Sequence, residues 1–246
     1  MLLRRITQHF RDQNWFAVFI DFLIVVVGVF IGIQVANWNE TQTNKAQLST
    51  TLERLTDEVQ QNIEITNRIL KDFDEGKDDM ILAREALNSC HYSEDGQAAL
   101  ERLLFDLVND TQPNFITVVQ EQLARQEQYQ VLLSTPFQKG FAQYLSTVSE
   151  EHEQLSSHYE QLWEHHINYH PKVNAYFSGE PGEGLEYEGW GFKLDVPFEN
   201  ACNDASFRNR FINTLGFYTS INQRLINFKS EAEKFATVVQ QEIEKL

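Results

Sequence analysis

The sequence predicts an all-α protein: one N-terminal transmembrane helix that runs on into an elongated antiparallel helical bundle, with a small aromatic loop or hairpin set into it. Three observations carry this prediction. An apolar run, Phe16 to Ala36, lies between Trp15 and Trp38, and its only strongly polar members are Asp21 and Gln34. There is no proline from Asn14 to Asn88. Downstream, apolar residues recur at heptad spacing along three separate stretches.

At about 1.5 Å per residue, Phe16 to Ala36 is long enough to cross a hydrocarbon layer of ~30 Å, and a tryptophan at each end suits the two water–lipid interfaces. Arg4, Arg5 and Arg11 precede the run, whereas only Lys45 and Arg54 lie within about 20 residues after it. The positive-inside bias therefore makes 1–14 a cytoplasmic basic segment, 15–38 the span and 39–246 an external body. A cleaved signal peptide is the competing reading. Signal cores span about 7–15 residues and end in small residues, and Gln34-Val35-Ala36-Asn37-Trp38 is a poor cleavage site, so an uncleaved signal anchor fits better. The formal charge of −16 divides into +1 over residues 1–38 and −17 beyond them. Such an acidic body opposes nucleic-acid binding, which needs a basic surface to displace counterions from phosphates.

Asp21, followed by Gly28-Val29-Phe30-Ile31-Gly32-Ile33-Gln34-Val35-Ala36-Asn37-Trp38-Asn39-Glu40, resembles the signature of a bacterial family of single-pass membrane proteins of unknown function. That family has an early acidic residue, a glycine-centred apolar helix, a glutamine and an Asn-Trp-Asn-Glu exit. This chain departs from it in carrying Asp21 where glutamate is usual and Ala36 where a second asparagine is common. The likeness covers about 20 residues, Asp21 to Glu40. It implies a bacterial inner-membrane protein with its body in the periplasm, and it implies no activity.

Past the membrane, Leu48, Leu52, Leu55, Val59, Ile69, Phe73, Met80, Ala83 and Leu87 keep one heptad phase, which extends the first helix to about Asn88. Gly76 lies on that stripe, where close packing is its expected use. Cys90 to Gly96 reads as a turn, with Ser93 and Asp95 as caps for a helix from about Gln97 to Val108. A short helix is expected over about Phe115 to Gln128. Pro136 then opens a long one, marked by Phe137, Phe141, Tyr144, Val148, Leu155, Leu162 and Tyr169, that stops at His170-Pro171. Residues 178–198 form a Gly/Pro/aromatic segment in which Trp190, Phe192, Leu194 and Val196 alternate with polar or small residues, a period-two strand signal. Asp204 is placed to cap the last helix, striped by Phe207, Phe211, Tyr218, Ile221, Leu225, Phe228, Ala232, Phe235 and Val239. The first helix leaves the membrane, the short helices return, the Pro136 helix ascends and the last descends, which puts the aromatic loop at the distal tip and Leu246 nearer the membrane.

No catalytic or cofactor motif appears, so the sequence predicts no enzyme and no cofactor. His166 and His170 have the i, i+4 spacing that holds a metal on one helix face, with Glu164 nearby, but no third ligand is fixed by spacing and a wet helix face explains them better. The pairs Glu150-Glu151 and Asp78-Asp79 read as solvated faces. Trp190 and Phe192 offer a partner contact, although rings that plug the open end of the bundle are the better reading, because exposed rings favour aggregation. Asp21, Val25, Gly28, Gly32, Val35 and Asn39 share one helix face with a GxxxG step, a packing face for a second copy or a partner helix. Cys90 and Cys202 flank the ends of two helices that meet at the distal tip, which predicts a disulfide. These features point to a membrane-anchored binding, scaffold or spacer protein. An accessory role in an ion-driven or transport complex, acting through Asp21, is the alternative.

Overall fold

The computed structural model describes residues 15–109, 113–164, 170–177 and 190–246. Among them are helices α1 (Trp15–Glu75), α2 (Lys77–Ser89), α3 (Glu94–Asn109), α4 (Val118–Arg125), α5 (Glu127–Gln130), α6 (Thr135–Glu164), α7 (Phe198–Cys202) and α8 (Ala205–Ile243). Strands β1 (Val173–Phe177) and β2 (Trp190–Leu194) form the one sheet among the described residues. The fold is otherwise all-α. The basic segment 1–14, the side chain of Leu162, the whole of His166 and Tyr169, and residues 178–189 lie outside the described residues.

α1 contains 61 residues, which at 1.5 Å rise makes it roughly 90 Å long. Its first part has no protein neighbour: Phe16, Phe22, Phe30 and Trp38 are all exposed. From Leu48 onward the same helix turns a stripe inward, and Leu48, Leu52, Leu55, Val59, Ile69 and Phe73 are buried. The side of the stripe is set by α8, whose residues Phe207, Phe211, Thr214, Tyr218, Ile221, Leu225, Phe228, Ala232, Phe235, Val239 and Glu242 are buried at alternating spacings of four and three. Direction follows from ring contacts. Phe73 meets Tyr218 (centroids 3.9 Å) while Glu242 reaches Ser134 near the other end, so α8 runs antiparallel to α1. Tyr144 on α6 stacks on Phe235 (4.5 Å) and Glu151 binds Arg224, so α6 is antiparallel to α8 as well.

Four local features differ from the sequence expectation. The first helix is interrupted at Gly76, which separates α1 from α2 while keeping right-handed geometry and helical hydrogen bonds from its amide to Asp72 and from Met80 to its carbonyl. No neighbour presses on Gly76: an added Cβ would meet only the carbonyl oxygens of Asp72 (3.7 Å) and Phe73 (3.9 Å) in the preceding turn. The expected 115–128 helix is two short ones, split at Gln126, where ψ of 86° is not helical. The 190–194 strand is paired in a small hairpin, one of the two expected alternatives, but its partner lies upstream of the 178–198 segment, with Val173 opposite Leu194 and Phe177 opposite Trp190. α3 starts earlier than expected, because the Gly96 amide donates to Ser93 Oγ (3.1 Å) and Ser93 caps it.

The core falls into two clusters. A proximal one joins α1, α6, α8 and the 113–133 segment; a distal one joins α2, α3, the hairpin, α7 and the first turns of α8, and Met80 touches both. At the distal end Gly96 lets α2 and α3 approach closely, since a Cβ there would sit 2.7 Å from that of Ala86. The hairpin docks on α3 through the Leu194 amide, which donates to Glu101 Oε1 (3.1 Å).

Candidate functional site

The Asp21, Val25, Gly28 and Gly32 face, with Val35 and Asn39 continuing it, is fully open on α1. A Cβ added at Gly28 or Gly32 would meet nothing within 4 Å. Among the described residues, α1 is the one helix long and apolar enough to cross a membrane, and none of its apolar window is buried against the rest of the chain.

At the opposite end Cys90 and Cys202 are joined by a disulfide, their Cα atoms 5.4 Å apart and 112 residues apart in sequence. Cys90 adopts a left-handed conformation (φ 49°) at the end of α2, which turns the chain toward Cys202. Phe192, offered above as a partner contact, is buried in the distal cluster and unavailable for one. The reason is the pleat of β2, which sends Phe192 and Leu194 to the side facing α3. Trp190 ends the strand opposite Phe177, and its side chain lies outside the described residues.

His170 is a core residue. It is buried, sits edge-on against Phe207 (5.3 Å), and its Nδ1 accepts from the Lys172 amide (3.3 Å). Burial lowers its pKa below the ordinary value; Arg210 and Lys172 reinforce that, and Asp204 opposes it. Among the described residues no three His, Cys, Asp or Glu side chains converge as a metal site would require. The acid pairs do not converge either. Asp79 takes a two-pronged hydrogen bond from Arg102 (both 2.7 Å), and Glu151 takes Arg224.

The polar centre that the sequence reading overlooked lies halfway along the proximal core. Glu58, Asn62 and Thr66 on α1 are all buried. Asn62 binds the backbone of Ile116 at both ends: its Oδ1 accepts the Ile116 amide (2.8 Å) and its Nδ2 donates to the Ile116 carbonyl (2.9 Å). The same Nδ2 lies 3.3 Å from the Tyr144 hydroxyl. Burial pushes the Tyr144 phenol up to about 12, with Glu58 adding to the rise and Asn62 opposing it, so the phenol stays neutral. Glu58 accepts the amides of Val119 (2.6 Å) and Gln120 (3.0 Å). These are the second and third residues of α4, the amides that a helix's own cap normally satisfies. Thr117 accepts neither amide, and its hydroxyl donates to Glu121. A second buried carboxylate acts in the same way: Glu242 on α8 accepts the amide and hydroxyl of Ser134 at the start of α6. Burial alone would raise its pKa, but the Ser134 bonds and Lys245 outweigh that and hold it below the usual value.

One signal in the sequence pointed here. Asn62 and Thr66 stand where the heptad 48, 52, 55, 59, 62, 66, 69, 73 requires buried positions, and a polar residue in such a position needs a partner. Compared with protein-family models, curated proteins and solved structures, the chain matches none.

Proposed function

We propose that this is a non-catalytic, single-pass protein of the bacterial inner membrane, N-terminus inside, whose helical body in the periplasm binds a partner or sets a spacing. The observation that carries the reading is α1 itself. One unbroken helix exposes apolar side chains all round from Phe16 to Trp38 and then buries a single heptad stripe from Leu48 onward. An all-round apolar helix belongs in lipid, and a striped one belongs on a bundle. The resemblance of Asp21 to Glu40 to a bacterial single-pass family supports the same placement, and the Cys90–Cys202 disulfide supports an oxidising compartment for the body. A reporter that fluoresces only in the cytoplasm, fused after Leu246, should stay dark; a bright fusion overturns the orientation.

Within the membrane, the open Asp21, Val25, Gly28, Gly32 face packs on a second copy or on a partner helix, because glycines four apart let backbones approach. Replacing Gly28 and Gly32 together by leucine should abolish self-association in a membrane two-hybrid assay, and an unchanged signal removes the packing face. Asp21 favours a second reading, an accessory subunit of an ion-driven or transport complex, since a carboxyl group within a span is costly unless it works. Growth, proton leak and complex assembly unchanged in Asp21→Asn would leave that reading without support.

A further inference from the structure

The segment between α3 and α6 differs from the rest of the proximal core in how it is held. Residues 113–133 carry the two shortest helices of this core, of 8 and 4 residues, far below the ~12–15 residues at which a helix begins to stand alone in water. Both depend on side chains from elsewhere. Glu58 supplies the cap of α4, Asn62 holds the Ile116 backbone, and the Tyr129 hydroxyl reaches Gln47 Oε1 (3.5 Å). The segment meets α1 through polar groups of Gln47, Glu58 and Asn62, whereas the stripe that faces α8 is apolar apart from Asn62 and Thr66. Separating the segment from α1 therefore returns amides and carboxylate to water, while separating α1 from α8 would expose Leu48, Leu52, Leu55, Val59, Ile69 and Phe73.

A second, independent observation marks the same segment. Among the described residues, buried side-chain acceptors without a hydrogen-bond partner number two, Gln120 Oε1 and Gln126 Oε1, and both lie here. A buried unpaired carbonyl is destabilising because it has given up water for nothing, and opening restores its hydration. Against opening stand Phe115, Val119, Leu123, Tyr129 and Leu133, buried in the proximal cluster, so the closed form is the resting one.

We propose that residues 113–133 form a strap that opens as a unit from an intact α1–α6–α8 bundle, and that Glu58 is the latch that holds it shut. The carboxylate does two things at once. It satisfies the Val119 and Gln120 amides, and it places a negative charge at the positive end of α4. Opening releases both and bares the α1 flank between Gln47 and Asn62, the first part of the body beyond the apolar span.

Hydrogen exchange on the full chain in detergent micelles or nanodiscs tests this without any substitution. Amides of 116–132 should exchange together, at least tenfold faster than those of 48–73 in α1 and 218–242 in α8. Equal protection across these segments overturns the strap. Glu58→Gln keeps the shape but turns an amino group toward one of the two donor amides. It should speed exchange over 116–125 by a further tenfold or more and leave 218–242 unchanged. Acceleration of the whole bundle, or none in the strap, overturns Glu58 as the latch, and if the variant does not fold, the wild-type comparison still decides the strap.

Discussion

The two ends of the body are closed by different means. The proximal core is made by three long helices whose periodic stripes meet over their length, with Phe73 against Tyr218 (3.9 Å) and Tyr144 on Phe235 (4.5 Å), and the 113–133 segment adds Phe115 stacked on Phe228 (4.1 Å). The distal core is gathered from short pieces that are remote in sequence: α2, α3, the hairpin, α7 and the start of α8. Continuous stripes need no covalent help, because each turn adds the same contact as the last. Short elements bury little surface apiece, so the distal end adds a disulfide across 112 residues and hydrogen bonds such as that from Leu194 to Glu101.

The sharpest way to break that contrast is Cys202→Ser. Closing a loop of more than 100 residues is worth about 4–5 kcal/mol in the chain-entropy model, and the loss should fall on the distal core. Exchange around Phe207 and Phe211 should accelerate while that around Phe228 and Phe235 does not. Equal acceleration of both ends would show that the body unfolds as one block. Next in size is Phe228→Ala in the proximal core. Phe228 is fully buried and meets Phe115 and Tyr144, so urea unfolding should show a loss of about 3–5 kcal/mol. Combined with Cys202→Ser, the effects should add, since the sites share no partner.

Acid should separate the two ends more gently. His170 in the distal core has a folded pKa below its ordinary 6.5, so the unfolded chain takes up its proton first. Its share of stability is complete above pH 6.5 and is lost as pH falls through the folded value. Glu242 at the proximal end is lowered from 4.5. Its contribution is complete above that pH and fades only as pH falls through the lower folded value. Between pH 7 and 5.5, with the intrinsic pH dependence of exchange divided out, the protection of distal amides should therefore fall while that of proximal ones holds, and His170→Phe should remove that difference. The smallest effect expected is that of Lys71→Ala. Its bridge to Glu75 (3.1 Å) is well exposed at both ends, so the thermal melting temperature should not shift measurably.

Particular residues show what was readable. Leu48 to Phe73 and Phe207 to Val239 could be placed because the period of a helix is local and the side that repeats its apolar residues must be covered. Asp204 could be named as a cap for the same reason: it accepts the Ser206 amide (2.8 Å) two residues away. The two cysteines followed from the order of the helices, a slightly longer chain of argument. Gly76, by contrast, was assigned a packing role that its open surroundings do not give it. Strand β1 escaped notice because Val173–Phe177 has no clean alternation: Ala175 is exposed although it shares a face with buried Val173. Only its pairing with β2 makes it a strand.

The sequence alone determined the apolar span, the three striped helices and the Asp204 cap of the last one, because each depends on residues within a few turns of one another. The tertiary structure alone decided the rest. Glu58 and Glu242 look like any other acidic residues on a helix until the partner segment arrives, 61 residues from the first at Val119 and 108 from the second at Ser134. Asn62 reads as a flaw in a heptad until Ile116 lies against it. A buried polar group takes its meaning from the atom opposite, and no periodicity within its own helix names that atom.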